Sequence, residues 1–323
     1  MTDPTPADSA PESFDASYPL RVATRVTGLK AELLRAWETR YGAIQPERTP
    51  GGSRRYSLRD LDRLRLLRDV VAAGHRIGRV AHLADAELAE LLLDADGAGD
   101  DAVERILRAA DGLDAPAVRD VLDVELERRG AADFATGFAI PLLVAVGDRW
   151  EEGRLSVSAE HLVSSLLRAT LTDLVARAGA VAGRPELVLA TPPGESHDLG
   201  TLVAAIVAAH AGARLSFLGA DIPVADLAAR VAGSGASVLV LGVVTLEPAS
   251  AAASLRELRD LLPPSIRVWI GGAGIRGLEP IDGVERLASL GQLEAHVLRL
   301  GLGETPELEP ERVEPPRAGS RTR

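Results

Sequence analysis

Apolar positions along the chain change their spacing twice. From Leu20 to Leu83 they recur every three or four residues in short runs. These are Val22, Ala23 and Val26, then Leu33, Leu34 and Trp37, then Leu58, Leu61, Leu64, Leu66 and Leu67. The period predicts short helices over about 20–27, 30–40, 57–73 and 77–83. Thr27-Gly28 ends the first, Ser57 caps the third, and Gly74 stops it. Between the second and third lies YGAIQPERTPGGSRRY, whose two prolines and Gly51-Gly52 pair exclude a helix and predict a small hairpin wing. Two helices joined by a tight glycine turn make a helix-turn-helix.

From about Asp101 to Ala182 the period is helical, broken at Gly112, Gly130 and Gly153. Four helices fit, at about 101–110, 115–129, 132–151 and 156–179, and predict a four-helix bundle. Pro141 predicts a kink or a helix start within the third. From Pro185 onward, strand-length apolar runs at 186–190, 214–218, 237–244 and 266–270 alternate with helical segments at 199–210, 224–232, 249–261 and near 284–298. That alternation predicts a doubly wound parallel sheet. The fold class is therefore multidomain α and α/β: a winged helix-turn-helix over 18–84, a four-helix bundle over 101–182 and a parallel-sheet domain over 185–304. Residues 1–17 and 305–323 are expected to be disordered tails.

Charge sharpens this division. The 323-residue chain carries a net charge of -11, yet residues 20–80 hold 14 Lys and Arg against 6 Asp and Glu. A block of +8 on a remainder of -19 is the electrostatic footprint of a domain that binds nucleic acid. The absence of cysteine excludes disulfides and thiolate metal sites. No apolar run is expected to reach the ~18–20 residues of a membrane span. The acidic, Pro/Ser-rich start is unlike a targeting peptide, so a cytoplasmic location is expected. No P-loop, hydrolytic triad or dinucleotide glycine pattern stands at the first βα turn, and no enzyme activity is expected.

The most chemically suggestive stretch is TPPGESHDLG, residues 191–200. It places His197 in a strand-to-helix loop, where open α/β sheets bind ligands. Glu195 can hold the imidazole in one tautomer and raise its basicity. Gly200 lets the backbone pass close to something bulky. Glu195-x-His197-x-x-Gly200 resembles the Asp-x-His-x-x-Gly motif of B12-binding domains, with Glu for Asp. The resemblance implies that His197 is the lower cobalt ligand of a cobalamin. Gly271-Gly272 in VWIGGAG fits the family's glycine pair after the fourth strand. The family's Ser-x-Leu has its expected counterpart at Gly242, which puts one hydrogen bond to the displaced nucleotide tail in doubt. FLGADIP, with Asp221, also recurs in that family.

The basic block has its own likeness. LLRAWETRYG, then P-x-R, then GGSRRYS and a leucine helix, resembles the DNA-binding domain of MerR-family transcription regulators. The resemblance implies that Arg35 and Arg40 address the groove of double-stranded DNA and that Arg48, Arg54, Arg55 and Tyr56 grip phosphates around the wing. Lys30 and Tyr41, at the two ends of the second helix, complete the DNA-binding set. The long coiled coil that usually follows is missing, since Ala84–Asp100 breaks into GAGDD without heptads. Assembly into a dimer or tetramer would then use another part of the chain.

In the bundle, Trp150 is followed ten residues later by Glu160-His161. This Trp-x9-Glu-His resembles the cap of the CarH/LitR type of MerR regulators. There the indole covers the 5′-deoxyadenosyl group and the Glu and His contact it. A histidine commonly follows that tryptophan and ligates cobalt after light removes the adenosyl group; here the position is Glu151. The combined resemblance implies a repressor that senses adenosylcobalamin, with an altered or absent light response. Two rivals are a corrinoid carrier for a methyltransferase, which has no use for a DNA reader, and a corrinoid-free regulator working through protein partners.

Overall fold

The computed structural model describes residues 17–95, 97–178 and 185–301; apart from Ser17, the expected tails lie outside them. The first unit comprises β1 (Tyr18–Pro19), α1 (Leu20–Thr27), α2 (Ala31–Tyr41), β2 (Glu47–Arg48), β3 (Arg54–Tyr56), α3 (Leu58–Ala72) and α4 (Ile77–Val80), followed by α5 (Asp85–Ala95). Gly28, at φ 69°, takes the left-handed conformation that turns α1 into α2. Leu34 and Trp37 of α2 are buried with Val22, Val26, Leu61 and Leu64, whereas Leu33, expected on the same face, is exposed. Ser57 and Asp60 cap α3 reciprocally, as a capping box does. β3 is the middle strand of a small antiparallel sheet, paired with β2 on one side and on the other with β1, which the pattern did not predict.

Three arginines of the basic block are consumed in holding this unit together. Arg63 donates to the carbonyls of Ala43, Ala81 and Leu83, Arg65 to Val26, and Arg68 to Thr27 at the carboxyl end of α1. Part of the charge that looked like a DNA footprint is therefore structural.

The bundle consists of α6 (Gly97–Asp111), α7 (Ala115–Arg129), a helix running from Ala131 to Glu151, and α10 (Val157–Arg177). The GAGDD run, expected to break the chain, lies within α6. The third helix is divided into α8 (Ala131–Phe134), a π turn (Ala135–Ala139) and α9 (Ile140–Glu151). Pro141 lacks an N–H, so the ordinary helical ladder cannot continue through it, and the π turn lies immediately before it. This 21-residue helix is long and apolar enough to cross a membrane by length and composition, contrary to the sequence expectation. In the fold it buries Phe134, Phe138, Leu142 and Val146 in the bundle core.

The last unit alternates β4 (Glu186–Ala190), α11 (Leu199–His210), β5 (Arg214–Gly219), α12 (Val224–Ser234), β6 (Val238–Gly242), α13 (Pro248–Leu261), β7 (Arg267–Gly271), β8 (Val284–Arg286) and α14 (Leu290–Gly301). The sheet is parallel throughout, in the order β5-β4-β6-β7-β8. β8 is a fifth strand where only helix was expected. Helices α11 and α14 cover one face, α12 and α13 the other. The chain reverses direction across the sheet between β4 and β6, and the loops after those two strands flank the switch point where such sheets bind ligands.

The units share cores rather than merely touching. Leu202, Val203 and Ile206 of α11 complete the bundle core. Ala295 and Leu298 of α14 complete that of the first unit. There the Tyr18 hydroxyl meets Nδ1 of buried His296 at 3.1 Å, His296 Nε2 lies 2.5 Å from Glu285, and Arg65 pairs with Glu294.

Candidate functional site: a histidine at the sheet switch point

Three loops converge on Glu195. Its side chain is 0% exposed, and its Oε2 accepts the consecutive amides of Val244, Thr245 and Leu246 at 2.8, 2.7 and 3.0 Å. Its Oε1 accepts the His197 amide at 2.9 Å and the Thr245 hydroxyl at 3.2 Å, and lies 2.7 Å from His197 Nδ1. Burial alone would raise the Glu195 pKa. The hydrogen bonds from His197, Val244 and Thr245 outweigh it and hold the carboxyl down at about 2. The main-chain carbonyl of Glu195 accepts from the Asp221 amide and the Thr191 hydroxyl, while Asp221 Oδ1 accepts the Gly194 amide at 2.7 Å. The loops after β4, β5 and β6 are thus locked around one carboxylate.

A carboxylate can only accept, so Nδ1 of His197 carries the proton of this bond and Nε2 is the nitrogen turned away from it. Among the described residues Nε2 has no hydrogen-bond partner, and the side chain is 56% exposed. An imidazole held at one nitrogen by a carboxylate and open at the other has the chemistry of a metal ligand. Gly200 is exposed, and a Cβ there would meet no atom within 4 Å. The surface at Gly200 is therefore open.

The paired glycines serve the same loop from below. Gly272 adopts φ 110°, and a Cβ on it would overlap the Val243 carbonyl oxygen. Gly274 would place its Cβ 3.0 Å from the Val244 oxygen. Gly271 ends β7 with ordinary contacts to Leu287. Gly242 is the last residue of β6, and a Cβ there would strike the buried Thr201 hydroxyl. It makes room for Thr201 and, as the expected counterpart of the family's serine, brings no hydroxyl to this place. Nothing in the sequence marked the amides of 244–246 as the groups that bind this loop to Glu195.

On the bundle, Trp150 is 51% exposed at the end of α9, outside the core where a packing tryptophan would sit. Glu160, in the first turn of α10, accepts from Ser164 at 2.6 Å and pairs with exposed His161. Glu151 is exposed beside Trp150. Among the described residues no hydrogen bond joins Trp150, Glu160 or His161 to His197. The link between bundle and loop runs instead from Arg168 of α10 to Asp198.

On the first unit, Lys30, Arg35, Arg40 and Arg48 are exposed. Tyr41 is half-buried, with its ring near Gly78. Arg54 and Arg48 both reach Glu38 of α2, at 2.5 and 3.4 Å, which fastens the wing to the second helix. Arg55 is half-buried, and its charge disfavours the protonated form of Arg299 on α14. Tyr56 corrects the expectation of a phosphate contact. It is 0% exposed, burial pushes its pKa up to about 12, and its hydroxyl has no partner among the described residues. A Tyr56→Phe chain should bind DNA as tightly as the parent and melt no earlier, because an unbonded buried hydroxyl stabilises nothing. Titration of a labelled operator, beside a thermal melt, checks this.

Comparison with known proteins decides the family. The model described as "MerR HTH family regulatory protein" matches residues 18–87, and that described as "B12 binding domain" matches residues 102–174. The HTH-type transcriptional repressor CarH of Myxococcus xanthus is 36% identical over 288 residues, 85% of this chain and 94% of the relative. The chain belongs to the MerR family, in the branch that carries a B12-binding domain. CarA of the same organism, also an HTH-type transcriptional repressor, is 30% identical over 80% of this chain and 87% of its own. Among solved structures, the monomethylamine corrinoid protein of Methanosarcina barkeri aligns with a TM-score of 0.48 at 15% identity, over 62% of this chain and 99% of that one. The protein is a cobalamin-sensing, DNA-binding transcription regulator and not an enzyme.

Proposed function

We propose that this regulator is a repressor whose effector is adenosylcobalamin, bound between bundle and sheet. The observation that carries the proposal is the state of His197, with Nδ1 filled by Glu195 and Nε2 open at the switch point. We assign residues 185–304 to corrin binding, 101–182 to the cap and 18–84 to the DNA reader. The residues present fit the group: an imidazole open at Nε2 that would ligate cobalt, open space at Gly200, and a half-exposed indole at Trp150 that would cover the group. Bound cobalamin would supply a cobalt ion for His197 to hold and a large flat body for the cap to close on.

His197 binds and Glu195 orients it. Trp150 excludes water from above, while Glu160 and His161 offer a carboxylate and an imidazole to ribose hydroxyls. Gly200, Gly271 and Gly272 keep the floor clear. Ligand that favours an assembled dimer or tetramer must, by linkage, strengthen operator binding, because several readers then engage DNA at once. Lys30, Arg35, Arg40, Tyr41, Arg48, Arg54 and Arg55 form the DNA set, with Lys30, Arg35, Arg40 and Arg48 as its exposed members. Such binding takes place in the cytoplasm, on the operator. Glu151 offers cobalt a carboxylate where an imidazole would be needed for a stable second ligand, so light should not produce a bis-histidine species.

The test is operator affinity in the dark with and without adenosylcobalamin, together with the visible spectrum of the mixture. Ligand should tighten operator binding. His197→Ala should weaken cobalamin binding by about 100-fold, at the upper end of losses seen when groups around a metal are removed. Equal operator affinity with and without ligand ends the sensor proposal.

A further inference from the structure

Asp198 stands at the N-cap of α11 and does not cap it. Its side chain makes no hydrogen bond to the helix, and its backbone, at φ -104° and ψ -5°, lies outside the extended region that capping residues use. Three other N-cap residues of this chain do cap their helices. Ser57, Asp114 and Ser156 each accept the amide three residues on. Asp198 instead turns its carboxylate toward the bundle, where it is 9% exposed and bonded to the Arg168 guanidinium of α10. A capping contribution has been exchanged for an ion pair between two units.

That pair occupies a particular place. Asp198 directly follows His197, whose amide and ring are already held by Glu195. The carboxylate before the histidine ties it to the sheet, and the carboxylate after it ties it to the bundle. Along α10, His161, Ser164 and Arg168 recur at the spacing of one helix face. Arg168 is then two turns, roughly 10 Å, from His161 on that same face. The apolar face of α11 seats the sheet on the bundle, and this ion pair fixes the residue next to the histidine relative to the polar pair of the cap.

We infer that Arg168 is a positioning residue for His197, acting through Asp198 to hold loop and cap at the spacing a corrin needs. The inference rests on the proposed corrin site. Loss of the pair leaves His197 chemically intact but free to drift relative to α10. The guanidinium fork suits this task better than an ammonium, since its planar donors fix direction as well as charge.

Two variants separate positioning from folding. Asp198→Ser removes the ion pair and installs a good N-cap on α11, so the sheet domain should melt no earlier than the parent. Arg168→Ala removes the same pair from the other side. Both should weaken cobalamin binding by about 10- to 100-fold, the range for residues that orient a metal ligand. Both should also give a visible spectrum mixed between histidine-bound and histidine-free cobalamin. The double variant should be no worse than either single one, and Arg168→Lys should recover part of the affinity. In the ligand-free protein, hydrogen exchange across residues 192–198 should quicken in both single variants. Parental affinity, spectrum and exchange in Asp198→Ser would overturn the inference, as would additive losses in the double variant. If the parent itself binds no cobalamin, the corrin site fails first, and unchanged exchange in Arg168→Ala then removes the clasp as well.

Discussion

A Glu195→Ala chain is expected to lose about 4 kcal/mol of sheet-domain stability, among the largest effects of any single substitution here. The change strands four backbone amides, those of His197, Val244, Thr245 and Leu246, which now donate to one buried carboxylate. Each unbonded buried donor costs roughly 1–3 kcal/mol, partly relieved by water entering the gap. Glu195→Gln should recover little, because its NH2 would face donors alone. A pH series gives an independent check. The folded protein holds this carboxyl at about 2 against an ordinary 4.5, so the stabilisation is fully present above pH 4.5 and is lost as pH falls toward 2. The difference corresponds to about 3 kcal/mol. Denaturant melts followed by circular dichroism should show a steep acid limb in the parent that is flattened in both variants. An equally steep limb in Glu195→Ala would mean that other carboxylates govern acid unfolding.

Gly272→Ala should be nearly as severe, by a steric route. The new methyl would collide with the Val243 carbonyl, main chain that cannot swing aside as a side-chain tip can, and alanine resists φ 110° in any case. We expect a loss of about 3 kcal/mol or more. We also expect cobalamin binding to vanish, since the displaced segment 243–246 is the one that holds Glu195. Gly200→Ala supplies the contrast. It lies in the first turn of α11 with nothing within 4 Å of its Cβ, so stability should rise by up to about 1 kcal/mol. Cobalamin binding should nevertheless weaken if the corrin lies against that surface. Melts and a cobalamin titration on the two variants separate a glycine needed by the fold from one needed by the ligand.

Much of this molecule could be read from local pattern. Helix and strand positions follow from short-range periodicity, and the helix-turn-helix, the bundle and the alternating sheet domain each announce themselves in one continuous stretch. His197 and Glu195 were visible for the same reason, being two residues apart in a loop whose neighbours are unmistakably strand and helix. The Gly271-Gly272 pair was legible as a motif, though not what it touches.

What the pattern could not supply are the relations between distant segments. Glu195 takes three of its donors from residues about fifty positions away, and no spacing in the sequence marks amides as partners. Tyr56 and Arg54 are two apart on one short strand and so start on the same face, yet one is sealed in a core and the other is bound to Glu38, because what each meets depends on the segments packed against the strand. Arg63, Arg65 and Arg68 carry the same charge as DNA-contacting arginines, and only the carbonyls they reach show that they serve the fold. The burial of Tyr18 against His296, and the turning of Asp198 from its helix to Arg168, required three separate units to be brought together. Sequence by itself determined the elements and the chemistry each carries. Tertiary packing decided which charges are spent internally and which remain free, since burial and pairing depend on surfaces that meet only once the chain has folded.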